Sequence, residues 1–327
     1  MTSRRELLIV LGAGAISAPL ASSAQQPAKT FRIGYLGSTT ASGFANQVEA
    51  LRAGLRDFGY VEGKNIVIEY RWAEGKYERL PELAAELVRL KVDVLVTHGI
   101  QGALPAKRAT TTIPIVLAMS ADAVAGGVVA SLARPGGNVT GSTYFAPQLA
   151  AKRLELLKEA VPRVTRVAVL LNSDHPDADK QFQAMKTAAR SLKLELQRFE
   201  ARGPNEFSGA FAAIAKRGID AVAIHQDGAF IGNAKGIADL ALKHRLLSVG
   251  FNEFAEAGGL IGYAQNTLEM FRRAAYFVDR ILKGAKPGDL PVEQPTKFEL
   301  VVNLKTAKAL GIKIPNSILL RADKVIE

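Results

Sequence analysis

Apolar positions along the chain alternate between two periods. "FRIGYLG" (31–37) runs nearly unbroken as a buried strand, and a small polar loop, "STTASG", follows it. Phe44, Val48, Leu51, Leu55 and Phe58 then recur at helical spacing, predicting a helix that stops near Gly59. "NIVIEYRW" predicts the next strand, Leu80, Leu83, Leu87 and Leu90 mark a second helix, and "VDVLVTHG" and "IPIVLAMSAD" read as further strands. A last helix is expected over "AVAGGVVASLAR". Strands alternating with amphipathic helices specify a parallel sheet covered on both faces.

The alternation restarts at "RVAVLLNSDHP" (166–176), continues through a helix at 179–192, and repeats in "LELQRFEA", "GIDAVAIHQDG" and "HRLLSVGFNEF". The expected fold is therefore α/β: two doubly wound, Rossmann-like lobes joined by a three-strand hinge. "VTGSTYF" (139–145), "AGGLIGYAQN" (257–266) and "FELVVN" (298–303) are the expected crossings, with the helix "TLEMFRRAAYFVDRILKG" returning to the first lobe. This assigns 28–144 plus 263–292 to lobe 1, and 145–262 plus 293–327 to lobe 2. Two cores suit 327 residues, since single cores stop growing at roughly 250–300.

The first 24 residues fall outside this pattern. Arg4 and Arg5 precede an apolar run from Leu7 to Leu20, and Ser22 and Ala24 occupy the −3 and −1 positions of a secretory cleavage site. The run is shorter than the roughly 20 residues needed to span a membrane and is broken by Gly12, Gly14 and Pro19, so a signal peptide cut after Ala24 is expected. The arginine pair is compatible with twin-arginine export. With no cysteine, the chain has neither disulfides nor a lipoprotein attachment site. Losing Arg4, Arg5 and Glu6 lowers the formal charge from +11 to +10. That charge is spread along helices without a dense basic and aromatic run, so nucleic acid is not an expected partner.

"RPGGNVTGST" (134–143) has the G-x-x-x-x-G spacing of a phosphate loop, with Thr143 where a magnesium-binding hydroxyl would stand. The gripping lysine is replaced by Ser142, and the segment follows an expected helix rather than a strand. A crossover or hinge strand fits better. No G-x-S-x-G elbow, H-E-x-x-H helix or metal spacing occurs around the four histidines, so no enzyme, cofactor or metal is expected. "NSDHPDAD" lacks the glycine and glutamate of a calcium loop and reads as a solvated helix start.

Two blocks, "DAVAGGVV" with "SLARPGGNVTG" (122–141) and "VNLKTAKALGIKIPNSILLRADKVIE" at the C-terminus, resemble substrate-binding proteins of ABC importers of the tryptophan-binding-protein type. The family pattern has proline after the aspartate, where this chain has Ala123. The resemblance implies a type I periplasmic binding protein: a monomer that captures a small solute, such as an amino acid, and delivers it to an ABC permease in the inner membrane. A periplasmic receptor for a membrane sensor kinase would have the same pocket. A cytoplasmic repressor lobe is opposed by the signal peptide and the missing helix-turn-helix.

In such a fold ligands bind beyond the carboxyl ends of the strands. Ser38 and Thr39 offer hydroxyls and amides for a carboxylate, or cap the helix at Phe44. Thr97, His98 and Gln101 follow the third strand. Ser120 and Asp122 follow the fourth, where Asp122 either pairs with an ammonium or caps a helix. From the second lobe come Asn172, Ser173, Gln226, Asp227 and Asn252, with Tyr144 beside the first crossing. Asp227 is the preferred reader of a positive group because no helix is evident for it to cap, although Asp-Gly also forms turns.

Overall fold

A computed structural model describes residues 30–327; the expected signal peptide and the expected cut after Ala24 lie outside the described residues. The first sheet is built from β1 (Phe31–Gly37), β2 (Ile66–Trp72), β3 (Val94–His98), β4 (Ile115–Met119) and β5 (Val139–Gly141), in the order β2-β1-β3-β4-β5 with every pairing parallel. Helices α1 (Ala45–Asp57), α2 (Leu80–Arg89) and α3 (Gly99–Ala109) form its crossovers. β3 and β4 are buried at all ten positions, which explains why β4 and the first three residues of β3 are continuously apolar rather than alternating.

Helix α4 (Ala146–Ala160) opens the second lobe. Its sheet comprises β6 (Arg166–Leu171), β7 (Glu195–Glu200), β8 (Ala221–Ile224), β9 (Leu247–Gly250), β10 (Ile261–Ala264), β11 (Glu299–Asn303) and β12 (Lys324–Ile326), in the order β12-β11-β10-β9-β8-β6-β7. Only the β10–β11 pairing is antiparallel. Between these strands lie α5 (Ala178–Ser191), α6 (Pro204–Lys216), the single turn α7 (Gly228–Ile231), α8 (Ala234–Lys243) and α9 (Asn252–Glu256). Leu154, Leu157, Val169 and Phe182 fill one face of this sheet, while Phe207, Phe211, Ile237 and Phe254 fill the other. Each such buried side chain contributes roughly 1.5–3 kcal/mol.

Helix α10 (Thr267–Leu282) packs on α1 and β4, so the chain returns to the first lobe before re-entering the second through β11, α11 (Leu304–Leu310), α12 (Asn316–Leu319) and β12. Two of the expected boundaries differ. β10 belongs to the second sheet through Ala264, so that crossing falls at Gln265 rather than 263. Glu293 is still bonded to the first crossing: its N–H donates to Gly141 O (2.8 Å) and its carbonyl accepts from Thr143 N (2.9 Å). The straps therefore run side by side.

The phosphate-loop spacing has a mechanical use. Gly141 takes φ 128°, and a Cβ there would lie 2.2 Å from Leu117 O, so only glycine lets β5 approach β4 this closely. Thr143 Oγ1 donates to Ser120 O (3.1 Å) and accepts from Ala123 N (3.0 Å), which commits the supposed magnesium hydroxyl to the strap. The helix expected over "AVAGGVVASLAR" does not form. The N–H groups of Val128 and Val129 both turn back to Ala123 O, and Lys107 Nζ holds the carbonyls of Gly127 and Val128. Adjacent glycines make a helix there costly, and this closed turn takes its place.

Candidate functional site

Strand order reverses between β1 and β3 in the first sheet and between β6 and β8 in the second. Loops leaving such a switch point splay apart and leave a crevice. Here the two crevices face each other. A Cβ on Gly228 of lobe 2 would stand 2.5 Å from Ser38 Oγ, 3.2 Å from Gln101 Nε2 and 3.3 Å from His98 Cε1, all in lobe 1. Beside it, a Cβ on Gly43 would meet the Gly232 backbone at 3.0 Å, and one on Gly232 would meet Thr39 Oγ1 at 2.6 Å. The lobes are thus closed, leaving a narrow seam, and admitting an organic molecule requires them to part.

On the lobe 1 side, Ser38 N–H donates to His98 Nε2 (3.3 Å), which places the ring proton on Nδ1; Nδ1 has no partner among the described residues. Phe44 stacks on the ring at 4.4 Å, and burial drives the imidazole pKa down to about 3, so His98 is neutral. Gln101 Oε1 is buried and likewise without a partner among the described residues. Ser120 completes this wall with Met119 and Ala121.

The lobe 2 wall is more heavily charged. Asp227 is 2% exposed and accepts from Ala229 N (2.9 Å), Phe230 N (3.3 Å) and Asn172 Nδ2 (3.2 Å), while Tyr77 of lobe 1 donates to its other oxygen at 2.7 Å. Arg153 is 5% exposed; its Nε donates to Tyr263 O (2.8 Å) and its Nη2 to Gln226 Oε1 (2.5 Å). Burial lowers the Arg153 pKa to about 10, which leaves it protonated at neutral pH. His175 and His225 meet edge to face at 4.8 Å, and burial lowers both, so each is neutral. Tyr144 sits between the lobes, its N–H donating to Ser120 O (2.9 Å), and borders both the seam and a small space within lobe 2 that Arg153 and His225 line.

Of the expected residues, Ser38, Thr39, His98, Gln101, Ser120, Tyr144, Gln226 and Asp227 are brought to the interlobe seam, with Asn172 directly behind Asp227. Thr97 is not: strand alternation turns it to the opposite face of β3, where its hydroxyl donates to Leu36 O (2.9 Å) under α3. Asp122 caps a turn, accepting from Ala125 N (3.0 Å). Ser173 is half-buried and its place at the seam is taken by His175. Asn252 ties α9 to β10 through Ala264 O (3.3 Å). Asp227 does have a helix to cap, the single turn α7. That turn is too short to show helical periodicity.

Tyr77, Arg153, His175 and His225 were not anticipated. Arg153 had a signal: it follows Leu149 by four positions and precedes Leu157 by four, which puts a charge on the apolar stripe of α4. Tyr77 had none, because its partner lies 150 residues away in the other lobe. A concavity of about 510 Å³ lies elsewhere, between α1, α10 and residues 293–297. Two ion pairs line it, Arg272 to Asp57 (2.6 Å) and Arg273 to Glu293 (2.7 Å). Among the described residues no three metal-ligating side chains come together, and no helix is long and apolar enough to cross a membrane.

Two α/β lobes with opposed switch points and three straps define a type I periplasmic-binding-protein architecture. Residues 40–326 match the family described as ABC transporter substrate binding protein, and the chain belongs to it. This is a solute-binding family rather than one of enzymes. The chain is 25% identical over 260 residues to a tyrosine-binding protein of Clostridioides difficile strain R20291, covering 79% of this chain and 74% of that one. It is similar to a Streptococcus pneumonia ABC domain solved with L-Trp (26% identity, TM-score 0.81, 90% of this chain and 100% of that one). A conserved domain protein from Vibrio cholerae is also similar (28% identity, TM-score 0.84, 91% of this chain and 100% of that one).

Proposed function

We propose that the protein is an extracytoplasmic, monomeric receptor that captures a small solute of the amino-acid type between its lobes and passes it to an ABC permease. The observation that carries this reading is the set of buried polar groups on both walls of the seam, His98 and Gln101 facing Gln226, each with an atom unpartnered among the described residues. Such groups are costly to bury and can be satisfied by one ligand spanning both lobes. Ser38, Thr39, Ser120, Tyr144 and Asp227 complete the proposed site. Amino-acid chemistry is supported by what the relatives are named for, tyrosine and L-Trp.

Binding and closure are one equilibrium: a ligand touching both walls favours the closed form by its differential affinity. The moving bodies we assign are the first sheet with α1–α3 and α10, and the second sheet with α4–α9, α11 and α12. Thermal-shift screening against amino acids, organic acids, amines and sugars, followed by X-ray scattering with and without the best hit, tests this. A hit that raises the unfolding temperature and shrinks the particle is expected; the absence of any hit would sink the reading.

A further inference from the structure

We propose that the solute carries a carboxylate and that Arg153, together with Gln226, is the group that reads it. This rests on the solute-receptor reading and adds the ligand's charge. Two buried side chains of opposite charge lie on the lobe 2 side, Asp227 bonded directly to Tyr77 of lobe 1 and Arg153 set behind Gln226, which itself lines the seam, and their surroundings differ. The Asp227 carboxylate already accepts two helix N–H groups, the Asn172 amide and the Tyr77 hydroxyl. Its charge is dispersed over donors supplied by the protein. An ammonium ion arriving there would compete with bonds already made.

Arg153 is the reverse case. Its two hydrogen bonds go to neutral oxygens, Tyr263 O and Gln226 Oε1, and among the described residues no carboxylate lies within ion-pair distance. Glu253, the other buried acid on this lobe, is near enough to act on Arg153 electrostatically but forms no ion pair with it, and burial raises the Glu253 pKa toward its neutral form. A buried cation without a directly paired carboxylate is costly, and an anion bound against it offsets that cost.

The donors around Arg153 suit a carboxylate. Gln226 gives its oxygen to Arg153, which leaves Nε2 as a free donor beside the guanidinium; His225 adds two ring nitrogens without partners among the described residues. Next to these lie Leu149, Met185 and Ile224. The shared chemistry is a carboxylate, whether it belongs to an amino acid or to an acid lacking the amine.

The test is calorimetric titration with matched triplets that share one body, such as L-tyrosine, 3-(4-hydroxyphenyl)propanoate and tyramine, extended to aliphatic bodies. Acids are expected to bind with or without the amino group, and the amine lacking a carboxylate roughly 30-fold or more weaker. Gln226→Glu places an internal carboxylate on Arg153 while keeping their hydrogen bond. It is expected to lose acid binding by a similar factor with no fall in unfolding temperature. Arg153→Gln is expected to lose it as well; should that variant fail to fold, Gln226→Glu decides. Hits confined to amines, or undiminished acid binding in Gln226→Glu, overturn this inference and leave the receptor reading standing. A panel with no hit in any class overturns both.

Discussion

Removing one hydroxyl, in Tyr77→Phe, should unlatch the closed form. Tyr77 lies in the turn before α2 in lobe 1 and donates to Asp227 Oδ2 of lobe 2 at 2.7 Å, while accepting from Ala229 N at 3.3 Å. Both partners are buried only while the lobes are together. In the open form water can take the place of the phenol, so the substitution costs little there. In the closed form Asp227 Oδ2 would be left as a buried carboxylate oxygen without its donor. A hydrogen bond to a charged group contributes about 1.5–3 kcal/mol, so the closing equilibrium should fall roughly 10- to 150-fold. If the free wild-type protein is mainly open, ligand affinity drops by that whole factor; if mainly closed, part of it is absorbed by opening. Calorimetric titration against the best solute from the screen, with scattering of the free protein, measures both quantities. Affinity within twofold of wild type together with an unchanged scattering curve would refute the latch.

Three further outcomes follow from the same geometry. Gly228→Ala puts a methyl 2.5 Å from Ser38 Oγ only when the lobes meet, so affinity should fall roughly 5- to 150-fold, corresponding to about 1–3 kcal/mol of overpacking, with unfolding temperature unchanged; equal affinity by calorimetry would contradict the closed arrangement. Thr97→Val removes the bond to Leu36 O inside lobe 1 and should cost about 1 kcal/mol in urea unfolding while leaving affinity intact, in contrast to the seam variants. Acidification should destabilise the fold, because burial keeps His98, His175 and His225 neutral with pKa values below the ordinary 6.5. The unfolded chain takes up protons that the native one refuses, so stability is complete above pH 6.5 and is lost from there down toward about 3 for His98. The slope is at most about 1.4 kcal/mol per pH unit for each histidine, partly offset by Glu253, whose raised pKa acts in the opposite sense. Urea titrations at pH 7.5, 6.5 and 5.5 giving a flat profile would contradict the buried neutral assignment.

What was legible in the sequence was whatever is decided within one element. The unbroken apolar runs of β3 and β4 and the stripe of α1 follow from burial on both faces of a parallel sheet, and their order gives two lobes. The seam was legible as far as topology goes, since strand ends at switch points converge whatever their residues are. Ser38, His98, Gln101 and Gln226 are there for that reason. Thr97 beside His98 shows the limit: one position along a strand reverses the face, and sequence spacing alone did not settle which of the two pointed outward. Asp122 and Asp227 show another limit, because an aspartate that caps and an aspartate that binds look alike until the following N–H groups are located. Tyr77 and Arg153 depend on contacts across lobes or across 73 and 150 residues of chain, which no local pattern carries.

Why closure should depend on a solute at all follows from the balance of these groups. Tyr77 and Asp227, with the close backbone approach of Gly43 to Gly232, pull the lobes together. Against them, closure strips water from His98 Nδ1, Gln101 Oε1 and Gln226 Nε2 without supplying protein partners, at about 1–3 kcal/mol each. A molecule that satisfies even two of the stripped groups therefore moves the balance toward the closed form. Filling those positions with apolar residues of like shape would therefore tighten the closed form while abolishing its response to ligand. Recognition here depends on leaving the protein's own hydrogen bonding incomplete where the lobes meet.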